Sequence, residues 1–82
     1  MRILLVEDDD MIGESVMAGL ETEGHAIDWV RDGNSALLAL NTTPYSLVIL
    51  DLGLPGKDGL QVLKEMRGRR DPTPVLVTTA RD

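Results

Sequence analysis

Two short runs without a single polar residue, Ile3-Leu4-Leu5-Val6 and Leu47-Val48-Ile49-Leu50, constrain the fold of this chain more than any other feature. A strand with one wet face alternates apolar and polar side chains, so a run apolar at every position must be covered on both faces. That requirement points to a parallel sheet between two layers of helices. Both runs end in acid. The first passes into Glu7-Asp8-Asp9-Asp10, and the second into Asp51 and the turn segment Leu52-Gly53-Leu54-Pro55-Gly56-Lys57-Asp58-Gly59. Parallel pairing brings these acids to the carboxyl edge of the sheet, where ligands of such folds bind. Like charges gathered at one edge repel unless a cation holds them. The two strand ends therefore suggest a divalent-metal site built around Asp51.

The segments between the runs alternate in type. Residues 2–7 read as a buried strand. Asp9 or Asp10 can cap a helix running to about Glu23, with Met11, Ile12, Val16 and Leu20 on its inner face and Gly24 ending it. Ala26 to Val30 read as a shorter strand, and Asp32-Gly33-Asn34 as a turn and cap. Ala36, Leu37, Ala39 and Leu40 line a second helix. After Pro44 comes the strand Leu47 to Asp51, then a helix from Gly59 to Arg67 with an inner stripe of Leu60, Val62, Leu63 and Met66. Gly68 to Pro74 loop back to a strand at Val75-Leu76-Val77-Thr78. Repeated strand-helix-strand units imply right-handed crossovers and a doubly wound α/β sheet. No linker or low-complexity tract divides the 82 residues, so residues 1–82 form one domain, shorter than the usual roughly 100–150 residues.

Composition removes several classes of function. With no cysteine there is no disulfide framework, thiolate metal site or redox centre, which fits a reducing cytoplasm. Met1-Arg2-Ile3 runs straight into acids, unlike a signal peptide, and nothing is long enough to span a membrane. A net charge of −6 argues against an electrostatic grip on DNA by this segment. Lys64, Arg67, Arg69 and Arg70 cluster at the end of the third helix, where cations complement the dipole, and read as a solvated terminus. His25, the single histidine, has no metal-ligand spacing around it. The glycines form neither GxGxxG nor a P-loop. Trp29 is expected to pack part of its ring against a helix, and Met11, Met17 and Met66 to fill gaps.

Three stretches, Ile3 to Asp9, Leu47 to Gly59 and Pro74 to Asp82, together resemble the receiver domain of two-component response regulators, most closely that of OmpR/PhoB-type transcription factors. The resemblance covers the whole chain and implies a flavodoxin/CheY-like fold. By it, Asp51 is the phosphoacceptor for a sensor histidine kinase. Mg²⁺ is the implied cofactor, bound by Asp8 and Asp51 directly, by Glu7 through water and by the backbone carbonyl of Gly53. Thr79 matches the switch threonine, whose hydroxyl donates to a phosphoryl oxygen. Its neighbour Thr78 would point to the opposite face, and Ala80 leaves room for the phosphoryl group. Arg81 either leans over the site or is a solvated loop residue.

Each residue also has a plainer reading. Asp9, Asp10 and Asp58 suit helix caps, and Glu7, Asp8 and Asp51, taken singly, suit caps, surface positions or turns. Placement opposite a second strand-end acid favours the site for Glu7 and Asp8, and agreement of the other motifs favours it for Asp51. A complete receiver is expected to have five strands and five helices. The chain is accordingly expected to be truncated after its fourth strand, without the family's phosphate-contacting lysine, aromatic switch residue, usual dimer face or DNA-binding domain. DNA contact is expected only through a C-terminal domain beyond these residues. Truncation should leave an open sheet edge prone to self-association or exchange of elements. Two other functions compete: a scaffolding module that is never phosphorylated, and a Mg²⁺-dependent phosphohydrolase using Asp51. The latter usually needs a second acid two residues on, where this chain has Gly53.

Overall fold

The computed structural model describes residues 1–78. The chain alternates strand and helix: β1 (Arg2–Val6), α1 (Asp10–Thr22), β2 (Ala26–Val30), α2 (Gly33–Thr42), β3 (Leu47–Asp51), α3 (Gly59–Gly68) and β4 (Val75–Thr78). The strands form one parallel sheet in the order β2-β1-β3-β4. The order reverses at β1, as a doubly wound sheet requires. Residues 2–7 were expected to be strand; the ladder ends at Val6, yet Glu7 N–H still donates to Val30 O at 3.0 Å.

Alternation along β1 divides the core in two. Leu4 and Val6, with Val48 and Leu50 of β3, face Ala36 of α2 and Val62 and Met66 of α3. Ile3, Leu5 and Ile49 face the other way, against Val16 and Leu20 of α1 and against Trp29. The unbroken apolar runs thus serve two different helical layers at once, which is why no position in them is polar.

Asp9, Asp32 and Asp58 stand at the N-caps of α1, α2 and α3, each accepting the backbone N–H three residues on. Two inner-face expectations are corrected. Met11 and Ile12 of α1 and Leu60 of α3 are exposed, whereas Gly13, Val62 and Met66 turn inward. All three misplaced residues lie in a first helical turn, where the interior-facing positions are taken by Gly13 of α1, packed under the Trp29 ring, and Gly59 of α3, packed on the Asp51 backbone. Met66 fills the core as expected, and Met11 does not. β4 lies at one edge of the sheet, with Leu76 and Val77 exposed on its opposite faces.

Candidate functional site

The register between β1 and β3 pairs Val6 with Leu50, so Glu7 and Asp51 leave adjacent strands side by side. Both are buried, and Asp8 is half-buried. One carboxylate oxygen from each of Glu7, Asp8 and Asp51 lies within 4.8 Å of the others. Neutral loops do not bury two carboxylates together without compensation, because each loses hydration and gains a like-charged neighbour.

Local geometry holds each acid in place. Asp51 Oδ1 accepts the Gly53 N–H at 3.0 Å, closing a turn directly after β3. Glu7 Oε2 accepts the Asp9 N–H at 3.0 Å, while Asp9 Oδ1 caps α1 through the Ile12 N–H at 2.9 Å. Asp9, rather than Asp10, is therefore the cap; Asp10 instead pairs with Arg31. Asp58 likewise serves α3, accepting the Gln61 N–H at 2.9 Å.

Three carboxylates and no nitrogen or sulfur ligand make a hard oxygen set, the kind suited to Mg²⁺, Ca²⁺ or Mn²⁺ rather than zinc or copper. Oxygens bonded to Mg²⁺ at about 2.1 Å stand about 3 Å apart when adjacent and about 4.2 Å apart when opposite. The separations within 4.8 Å are close enough for a small side-chain adjustment to close them. The residues fit such an ion. Gly53 is exposed and is tied to the group by its N–H bond to Asp51.

Of the residues expected at the site, Glu7, Asp8 and Asp51 come together, with Gly53 bonded to Asp51. Thr79, together with Ala80 and Arg81, lies outside the described residues. Its neighbour Thr78 pairs with Asp51 across β3 and β4, and its hydroxyl lies 3.4 Å from the Leu50 carbonyl. A supporting residue not foreseen is Gly59. A Cβ there would collide with the Asp51 carbonyl oxygen and stand 2.9 Å from Leu52 Cα, so α3 begins directly against the backbone of the aspartate. Its sequence signal is modest: a glycine opening a helix eight residues after a strand-end acid.

A sheet of order β2-β1-β3-β4 presenting three carboxylates at its carboxyl edge defines a doubly wound α/β domain with an acidic cluster at its topological switch point. The chain matches the family described as response regulator receiver domain over residues 3–82, and it belongs to that family. It is 50% identical over all 82 residues to the transcriptional regulatory protein QseB of Haemophilus influenzae, of which it spans 37%. A crystal structure of the response regulator TrrA of Thermotoga maritima with Mg²⁺-BeF superposes with a TM-score of 0.87 at 36% identity, covering 96% of this chain and 70% of that one. A crystal structure of the histidine kinase ThkA in complex with TrrA gives a TM-score of 0.89 at 37% identity, covering 99% and 70%. The relatives include transcriptional regulators from several bacteria, of the OmpR/PhoB type expected from the sequence.

Proposed function

We propose that this receiver accepts a phosphoryl group from a sensor histidine kinase on Asp51 and thereby controls a transcription-factor output of the whole protein. The observation that carries this reading is the meeting of Glu7, Asp8 and Asp51 at one sheet edge in a member of the receiver family. A carboxylate oxygen of Asp51 attacks the phosphorus of a phosphohistidine. The new bond is P–O, the broken bond is P–N, and the imidazole nitrogen leaves with the electron pair and takes up a proton. Residues 1–82 act as a single unit in this step, which uses the protein as an acceptor rather than as an enzyme that turns over a substrate.

Mg²⁺ would be held by Asp8 and Asp51, by Glu7 through water and by the Gly53 carbonyl, and when bound it supplies positive charge opposite the phosphoryl oxygens. The chain's own contribution is orientation. The Gly53 N–H holds Asp51 in place through its Oδ1. Thr79, one residue beyond β4, is assigned the donor to the transferred group. The kinase partner has support from the similarity to TrrA, which is known in complex with ThkA. The proposed location is the cytoplasm, where the kinase would deliver its phosphoryl group; separately, no described helix is long and apolar enough to cross a membrane.

Intact mass after incubation with phosphoramidate or acetyl phosphate and Mg²⁺ tests the reading. One phosphoryl adduct is expected on the chain and none on Asp51→Asn. An adduct surviving in Asp51→Asn would remove Asp51 from its role, and no adduct on either would leave this chain without phosphotransfer chemistry. The exposed edge of β4 further supports self-association with a second copy, read as a rise in scattering mass with concentration.

A further inference from the structure

The peptide joining Glu7 to Asp8 is held from outside the acidic group. Glu7 N–H donates to Val30 O at 3.0 Å, and Glu7 O accepts the indole N–H of Trp29 at 2.8 Å. Both partners belong to β2, and the indole supplies its bond where the β1–β2 ladder has ended at Val6–Val30. A peptide is a rigid plane, so holding the Glu7 carbonyl also sets the direction in which Asp8 leaves it. The Glu7 carboxylate folds back to the Asp9 N–H. Glu7 is thereby fixed at its nitrogen, its carbonyl and its side chain.

The indole has little freedom of its own. It packs against α1 at Gly13, where an added Cβ would overlap the six-membered ring. The Arg31 guanidinium lies over the ring, 4.2 Å from its centroid, and also pairs with Asp10 in the first turn of α1. Packing alone would be satisfied by any large ring. The directional bond to Glu7 is what an indole adds.

We propose that Trp29 is a positioning residue for the acidic group: through its N–H it fixes the Glu7–Asp8 peptide plane and presets these two carboxylates for a divalent cation. The proposal rests on the metal reading of the site. Donors that orient ligands without touching the metal commonly carry a tenfold or larger share of its affinity.

The test replaces Trp29 in the full chain by β-(3-benzothienyl)alanine, which keeps the bicyclic shape and substitutes sulfur for the N–H. Mg²⁺ is titrated against the backbone amide shifts of Glu7, Asp8 and Gly53, and the thermal midpoint is read in EDTA. The isostere is expected to bind Mg²⁺ about tenfold more weakly, with an unchanged metal-free midpoint and faster hydrogen exchange at the Asp8 amide. 7-Azatryptophan, which retains the N–H, is expected to restore the affinity of the unmodified chain. Equal affinity in the isostere overturns the proposal, as does a weaker affinity matched by a fallen midpoint, which would mean general loosening. If the unmodified chain gives no saturable Mg²⁺ shift, the metal reading fails and the proposal falls with it; that failure shows in the parent chain, before any variant is compared.

Discussion

Asp28 projects from β2 and accepts hydrogen bonds from two residues elsewhere in the chain: the Tyr45 hydroxyl at 2.6 Å, and Arg2 through Nη2 at 2.9 Å and Nε at 3.2 Å. Tyr45 first, and then Arg2, hold the Asp28 carboxyl below the usual carboxylate range. The half-buried Tyr45 phenol moves upward, chiefly through lost hydration and then through the neighbouring carboxylate. The two signs define opposite limits. A lowered Asp28 contributes stability above its unfolded value of about 4, and that contribution disappears as the pH falls through the folded value. A raised Tyr45 contributes below its unfolded value of about 10, and its share is lost as the pH rises through the folded one. Tyr45→Phe is expected to destabilise the chain by about 1 kcal/mol near neutral pH, with the difference shrinking below pH about 4 and above about 10. Urea midpoints of both proteins at acidic, neutral and alkaline pH check this; a difference constant with pH would detach the effect from the pair. The meeting of Glu7, Asp8 and Asp51 could be read from the sequence because apolar runs end at Glu7 and Asp51, with Asp8 next in line, so paired strands bring the acids to one edge. The Gly13–Trp29–Glu7 arrangement could not. It exists only because α1 crosses β2 closely enough for a ring sixteen positions away to replace a side chain that Gly13 lacks.

The ends of α1 and α3 show one motif with two different residues. After α1, Gly24 N–H donates to Glu21 O and His25 N–H to Leu20 O, with Gly24 at φ 86°. After α3, Arg70 N–H donates to Arg67 O and Asp71 N–H to Met66 O, with Arg70 at φ 60°. Both are Schellman closures, whose left-handed position favours glycine because a Cβ there crowds the following carbonyl. Arg70→Gly is therefore expected to stabilise the chain by about 0.5–1 kcal/mol, and Gly24→Ala to destabilise it by about 1 kcal/mol. Chemical denaturation midpoints decide it: a loss on Arg70→Gly would show that the arginine side chain outweighs its backbone strain. Gly24 was legible as a helix stop, since glycine there is the common signal. The end of α3 was legible only to within a residue or two, because Arg70 occupies a place where no sequence rule expects it. The same limit explains Met11, Ile12 and Leu60. Periodicity marks which side of a helix is apolar, yet in the first turns of α1 and α3 it is Gly13 and Gly59 that face the interior while Met11, Ile12 and Leu60 stay exposed.

Across the whole molecule, coverage of the sheet is uneven. β1 and β3 carry buried aliphatic side chains on both faces and supply most of the buried core, whereas β4 has β3 as its strand neighbour among the described residues. Its register places Leu76 beside Ile49 and Val77 beside Leu50, so the two side chains leave opposite faces of the sheet. Leu76 is 55% exposed and Val77 39%, although their partners on β3 are buried. An edge strand with open hydrogen-bonding groups and apolar side chains on both faces is a template for another strand. Net charge of −6 opposes association by repulsion, but salt screens that term while leaving apolar burial intact. Self-association is thus expected to rise with both protein concentration and ionic strength. Burying one leucine-sized side chain is worth about 1.5–3 kcal/mol, so Leu76→Lys is expected to weaken the association at least about tenfold. Light scattering over a concentration series, at low and moderate salt, measures both trends. A strictly monomeric mass across the series would sink the association itself. A concentration-dependent mass that Leu76→Lys leaves unchanged would move the contact away from β4.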